Sequence, residues 1–324
     1  MGDVGDVRDT LGATLIGAFL SAGLSGMLTL QIIFYFRIYA VDFSRNRIMV
    51  AILWVLDVVH ISMACSATWT YLVTNRSDNA ISDYIPWTIA VTVALTAIIT
   101  FIVHCFFAHR VYSLSGKKLL LASPIVILAF GRLFAALVST SQMIRLKSFE
   151  KFVDQYGWVF TVGLSLSVAV DVIITVSLLI ILRRSRTGYG TTTDRIIDII
   201  AVYTVETGMI TAVTTVVSLI CWVTMPHNLI FLALHFTISK LYANSALATL
   251  NTRRALRART QQSGELPTIR SENINTYPAN SIPLHAKHLA PPAVYDMDNA
   301  TSEEDGLEQI CPNGVNNKFL DIFL

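Results

Sequence analysis

Residues 229–250 read Leu229-Ile-Phe-Leu-Ala-Leu-His-Phe-Thr-Ile-Ser-Lys-Leu-Tyr-Ala-Asn-Ser-Ala-Leu-Ala-Thr-Leu250, and Asn251-Thr-Arg-Arg254 closes the stretch. A run of about 20 apolar residues spans a bilayer as a helix. This run is that long, yet it places Lys240 near its middle, followed by Tyr242, Asn244 and Asn251. An ammonium group at the centre of hydrocarbon costs a few kcal/mol on insertion scales and more in simulation. Lys240 must therefore face a protein interior or water, and the rest of the chain must supply the helices that enclose it.

Working outward, the composition fits that demand. The chain has 324 residues, of which 53% are hydrophobic and 14% charged, with a mean hydropathy of +0.57. These proportions lie outside the range of soluble domains and point to a multi-pass membrane protein. The expected fold class is all-α, a seven-transmembrane helix bundle. Its spans fall at about residues 11–36, 48–72, 86–109, 122–144, 157–182, 196–224 and 229–250, after a short extracellular N-terminus at 1–10. No basic leader precedes the first run, which is expected to remain as a helix. Pro86 suits the first turn of the third run, and Met225-Pro-His-Asn228 forms a tight turn between the last two.

Basic residues set the expected orientation. The segments after the first, third, fifth and seventh runs carry fourteen: Arg37, Arg45, Arg47, Arg110, Lys117, Lys118, Arg183, Arg184, Arg186, Arg195, Arg253, Arg254, Arg257 and Arg259. The opposite side carries five, namely Arg8, Arg76, Arg145, Lys147 and Lys151. The more basic side is cytosolic, which places the N-terminus outside and the C-terminus inside. Asn75-Arg-Ser77 is a glycosylation sequon on an expected outer loop, so Asn75 is a possible modification site.

Residues 253–324 begin as a basic juxtamembrane stretch. From 260 onward they carry six prolines and many Ser, Thr, Asn and Gln, the composition of a disordered cytosolic tail. Cys65, Cys105 and Cys221 fall in spans and Cys311 in the tail, leaving no outer-loop pair for a disulfide.

Lipid gives helices no hydrophobic reason to associate, so small residues and interhelical hydrogen bonds must hold the bundle. Ala18, Ala22 and Gly26 offer a narrow face on the first run; Thr88, Thr92, Thr96, Thr100 and His104 a polar ridge on the third; Thr204, Thr207, Gly208, Thr211, Thr215 and Ser218 a matching one on the sixth. Packing alone accounts for these stripes.

The intramembrane ionisable residues define a candidate polar site at Lys240, Asn244, Asn251, Glu206, Asp57 and His60. Lys240, Asn244 and Asn251 share nearly one helix face. Depth counting at 1.5 Å per residue puts Glu206 roughly 10 Å deeper than Lys240 and leaves Asp57 as the other candidate partner. The same count puts Arg132 and Asp171 within roughly 3 Å of equal depth, a candidate structural ion pair.

These residues also carry a family likeness. Gln31-x-x-x-Tyr35, Leu53-Trp-x-x-Asp57-x-x-His60, Phe106-Phe-x-His-Arg110-Val-Tyr-x-Leu-Ser115, Glu206-Thr-Gly-x-x-Thr211 and Lys240-Leu-Tyr-x-Asn-Ser-x-Leu-Ala-x-Leu-Asn251-x-Arg253 resemble a group of mushroom-forming fungal membrane proteins, the domain of unknown function 6534 family. The likeness runs from about residue 12 to 255. It implies seven helices, a membrane location and a fungal source, and it implies no mechanism.

Four activity classes compete. A receptor-like or sensor protein fits the outside-to-inside topology, although His109-Arg110-Val111-Tyr112 is not an acidic-Arg-Tyr triplet and no Asn-Pro-x-x-Tyr follows Lys240. Partners on this reading are the lipid bilayer, a small ligand, and a cytosolic protein met through the loops or tail, with no nucleic acid. A small-solute transporter or ion channel fits Asp57, Arg132, Asp171, Glu206 and Lys240 lining a path, but the chain shows no inverted halves with matching broken helices. A retinal protein fits a lysine in a seventh span, but the third run has no Asp or Glu as counterion. An enzyme is disfavoured: no phosphate loop, His-Glu-x-x-His or Gly-x-Ser-x-Gly occurs, and neither a cofactor nor a metal is expected. The preferred location is the plasma membrane.

Overall fold

The structure, a computed structural model, describes residues 4–38, 44–74, 83–184, 192–225 and 228–264, with side chains described over 11–38, 44–74, 83–184, 206, 208–225 and 228–252. Seven α-helices are found among them: α1 (Val4–Ile38), α2 (Ser44–Trp69), α3 (Trp87–Leu114), α4 (Leu119–Leu146), α5 (Phe149–Arg184), α6 (Thr192–Thr224) and α7 (Ile230–Gly264). A π-helical turn over Thr70–Thr74 ends α2. The sequon at Asn75 and the tail from residue 265 lie outside the described residues.

Several helices outrun their apolar cores. α5 starts at Phe149 rather than near 157, and α7 continues to Gly264 rather than stopping near 250. Hydropathy registers only the part of a helix that lies in hydrocarbon, whereas Glu, Lys, Arg and Gln continue a helix readily in a polar setting.

Turns are set by backbone geometry. After α3, Gly116 and Lys117 adopt φ of 72° and 65°, and Lys117 N–H donates to the Tyr112 carbonyl at 3.0 Å. This closes the helix as a Schellman motif, with glycine at the left-handed position. Between α4 and α5, Lys147 is left-handed at φ 56°, and the segment before α3 pairs there: Ile85 N–H donates to the Lys147 carbonyl at 3.0 Å and Phe149 N–H to the Asp83 carbonyl at 2.8 Å.

Among the described residues, five helices, covering Leu11–Ile38, Ser44–Thr74, Trp87–Leu114, Leu119–Leu146 and Phe149–Arg184, are long and apolar enough to cross a membrane, and Gly208–Thr224 is a shorter apolar stretch of α6. Large apolar side chains such as Phe19, Leu20, Ile127, Phe134 and Trp158 are exposed on the outer faces. A soluble protein does not leave so wide an apolar surface in water. The chain is a polytopic helical membrane protein.

α7 has the opposite character. From Asn228 to Thr252 no residue is exposed, and the helix packs against α1, α2, α3 and α6. It is too polar in composition to count with the five apolar spans, and its polar groups are turned to neighbouring helices instead of lipid. On α1 the buried positions are Thr14, Ala18, Ser21, Ser25, Leu28, Ile32 and Tyr35, a heptad-like alternation of four and three. Gly17, beside them, lies where a methyl would collide with the Ala233 backbone, so α1 and α7 approach closely there. The narrow face expected from Ala18, Ala22 and Gly26 is corrected: Ala22 and Gly26 are exposed, and nothing lies within 4 Å of an added methyl at Gly26. Strict spacing of four drifts about 40° per step around a 3.6-residue helix, which carries these two off the packed seam.

Candidate functional site

Lys240 is fully buried, and so is Asp57 of α2. The Lys240 ammonium donates to Asp57 Oδ1 at 2.6 Å and to the Asp57 backbone carbonyl at 3.1 Å. Ser25 of α1 donates its hydroxyl to the other carboxylate oxygen, Oδ2. The buried charge pair is therefore hydrogen-bonded as well as neutralised, the condition under which burial of ions is tolerable.

One and three turns along the same face, the amides stitch α7 to α1. Asn244 Nδ2 donates to the Leu24 carbonyl at 3.1 Å and to the Lys240 carbonyl at 2.8 Å, while its Oδ1 accepts from Gln31 Nε2 at 3.1 Å. Asn251 Nδ2 donates to the Gln31 carbonyl at 3.0 Å. His60 lies deeper between helices, with Nε2 at 3.1 Å from Thr96 Oγ1 of α3 and 3.4 Å from Ser239 Oγ of α7. Five of the six residues expected in the polar site thus meet around α7.

Glu206 is the exception and is corrected: it is exposed on α6. Counted from the helix ends at Thr224 and Ile230, Lys240 is ten residues along α7 and Glu206 eighteen back along α6, a separation in depth of roughly 12 Å between these adjacent antiparallel helices.

Opposite the Lys240 face is a second polar cluster. Tyr242 donates its hydroxyl to Asp171 Oδ2 of α5 at 2.6 Å, and His104 Nε2 of α3 lies 3.3 Å from Asp171 Oδ1. Ser167 Oγ is 3.0 Å from the Tyr242 hydroxyl, and since Tyr242 donates to the carboxylate, Ser167 is the donor. The His104 and Tyr242 rings pack edge-to-face at 5.3 Å. Beside them is a cavity of about 20 Å³ bordered by His104, Asp171, Thr175, Gly208, Thr211 and Tyr242, room for a single water. At Gly208 an added methyl would strike Thr175 Oγ1, so α5 and α6 close this cavity by direct contact.

Arg132 does not make the ion pair with Asp171 that equal depth suggested. Both are buried, but Asp171 is occupied by His104 and Tyr242, and Arg132 Nε and Nη1 have no hydrogen-bond partner among the described residues. The expectation rested on a loop over 145–156, most of which is helix. Counted from Lys147, Asp171 lies nine residues deeper than Arg132, roughly 13 Å.

Tyr242 and His104 had sequence signals that were read otherwise. Tyr242 follows Lys240 by two positions, about 200° around the helix, which points it to the opposite side. His104 ends the threonine ridge of α3, all five members of which are buried. Among the described residues, no three His, Cys, Asp or Glu side chains are grouped to hold a metal, and Cys65, Cys105 and Cys221 are free.

Residues 167–255 match the model of a family of unknown function, DUF6534. The matched segment begins at Ser167 and contains Asp171, Lys240, Tyr242, Asn244 and Asn251, so it covers the α5 and α7 contributions to both polar clusters. No curated protein and no solved structure matches the chain.

Proposed function

We propose that the protein is a receptor-like sensor: seven spans, N-terminus outside, C-terminus in the cytosol of a fungal cell, at the plasma membrane. The observation that carries this reading is the double anchoring of α7. Its Lys240 face is bonded to α1 and α2, its Tyr242 face to α5, with His104 of α3 completing the second cluster. A helix enclosed over Asn228–Thr252 and held on two sides by discrete polar contacts moves only by exchanging them, the kind of bistable element that relays a ligand signal. The orientation is supported by the positive-inside distribution of basic residues. The small ligand would enter from the outer side, and a cytosolic protein would read the α3–α4 turn, the α5–α6 segment or the tail.

The test uses full-length protein with an environment-sensitive fluorophore on Lys118→Cys. A compound that raises the melting temperature is expected to change the label's emission. A broad panel in which stabilising compounds never move the label contradicts the proposal. The transporter reading draws on the cavity beside Asp171. Solute flux in proteoliposomes, lost on Lys240→Ala and kept on Lys118→Ala, would favour it over the sensor.

A further inference from the structure

Arg132 and His235 are the two interior groups whose polar atoms the bundle leaves most incomplete. Arg132 is 5% exposed and His235 4% exposed. The guanidinium Nε and Nη1, and both ring nitrogens of His235, have no hydrogen-bond partner among the described residues. The His235 ring approaches the Thr92 carbonyl of α3 without reaching hydrogen-bond geometry, and its electrostatic neighbours are Arg132 of α4 and His60 of α2. Phe160 of α5 packs on the ring, centroids 6.1 Å apart.

A buried guanidinium with unmet donors carries a large desolvation penalty. Its nearest carboxylate, Asp171, is already taken by Tyr242 and His104. Two further facts narrow what could satisfy it. The missing partners are acceptors for N–H groups, which calls for an anion or a neutral acceptor. Both groups are at most 5% exposed, so the acceptor is compact enough to be enclosed with them.

Charge balance adds a condition. The described interior charges balance, Lys240 against Asp57 and Arg132 against Asp171, which lies within its electrostatic reach. A bound anion keeps the interior neutral only if a proton enters with it. His235, with both nitrogens unbonded, lies within electrostatic reach of Arg132, and protonation turns both of its nitrogens into donors.

We propose that Arg132 and His235 form an internal site for a small inorganic anion, chloride in the cell, that is occupied together with one proton. Arg132 supplies the fixed charge and two donors, and His235 supplies the proton-carrying donor. The site is separate from the Lys240–Asp57 pair and does not depend on the sensor reading.

The test is the melting temperature of the purified full-length protein in detergent, titrated with sodium chloride against sodium gluconate at constant ionic strength, at pH 6 and pH 8. Expected is a saturable upward shift with chloride, absent with gluconate and reached at lower chloride at pH 6. Arg132→Gln is expected to abolish it, and His235→Phe to remove its pH dependence. Lys118→Ala should leave it intact. If Arg132→Gln does not fold, Arg132→Lys and the wild-type titration still decide. Equal melting in chloride and gluconate, or a chloride shift unchanged in His235→Phe at both pH values, overturns the proposal.

Discussion

Lys240 and Tyr242 sit two residues apart on α7 yet bond carboxylates on opposite sides of it, Lys240 to Asp57 of α2 and Tyr242 to Asp171 of α5, each at 2.6 Å. One turn of helix thereby ties together the two halves of the bundle. The pair explains how a polar helix is held inside a membrane protein: each side chain that lipid would reject is met by a specific partner.

The Tyr242 contact predicts a modest, measurable loss. Tyr242→Phe keeps the ring packed on His104 and removes the hydroxyl shared with Asp171 and Ser167. A hydrogen bond to an ionised group is worth about 1.5–3 kcal/mol in water-soluble proteins, and bonds between membrane helices average nearer 0.6 kcal/mol. The expected destabilisation is about 1–2 kcal/mol, read as a lower melting temperature in detergent, with Ser167→Ala losing less. No change in Tyr242→Phe would mean that Asp171 finds its donors elsewhere.

The α1–α7 seam predicts a contrast between glycines. At Gly17 an added methyl meets the Ala233 backbone, whereas at Gly23 nothing lies within 4 Å. Gly17→Ala should cost about 1–3 kcal/mol by forcing the helices apart. Gly23→Ala should be neutral or slightly stabilising, since alanine favours helix. Equal melting temperatures for the two variants would contradict the seam.

Glu206 predicts an absence of effect. Being exposed on α6, it should tolerate Glu206→Gln within about 0.5 kcal/mol, whereas Asp57→Asn leaves the Lys240 ammonium buried without a counter-charge. Comparing surface expression and monodispersity of the two variants checks this. A loss on Glu206→Gln as large as on Asp57→Asn would restore Glu206 to the site.

Much of α7 was legible because 240, 244 and 251 repeat at helical spacing, so one face declares itself wherever the helix is placed. Choosing between Asp57 and Glu206 was harder, since it depends on depth and therefore on where turns lie. The same weakness misplaced Arg132 against Asp171: Glu150, Lys151 and Asp154 make the start of α5 read as loop, although Phe149 and Phe152 are buried there and fix it as helix. The α1 seam was hidden for another reason. Small residues four apart attract the eye, but the packed face follows an average spacing of 3.5 through Thr14, Ser21, Leu28 and Tyr35, residues of no common size.

The most direct measurement of the central claim, that the Lys240–Asp57 pair locks α7 into the bundle, is a double-mutant cycle of Lys240→Met and Asp57→Asn on unfolding free energy in detergent. Each single variant strands a buried partner and should lose about 3–5 kcal/mol. The double variant removes both charges and should lose clearly less than the sum, with a coupling of about 2 kcal/mol or more. Additive losses, with no coupling, would contradict the account.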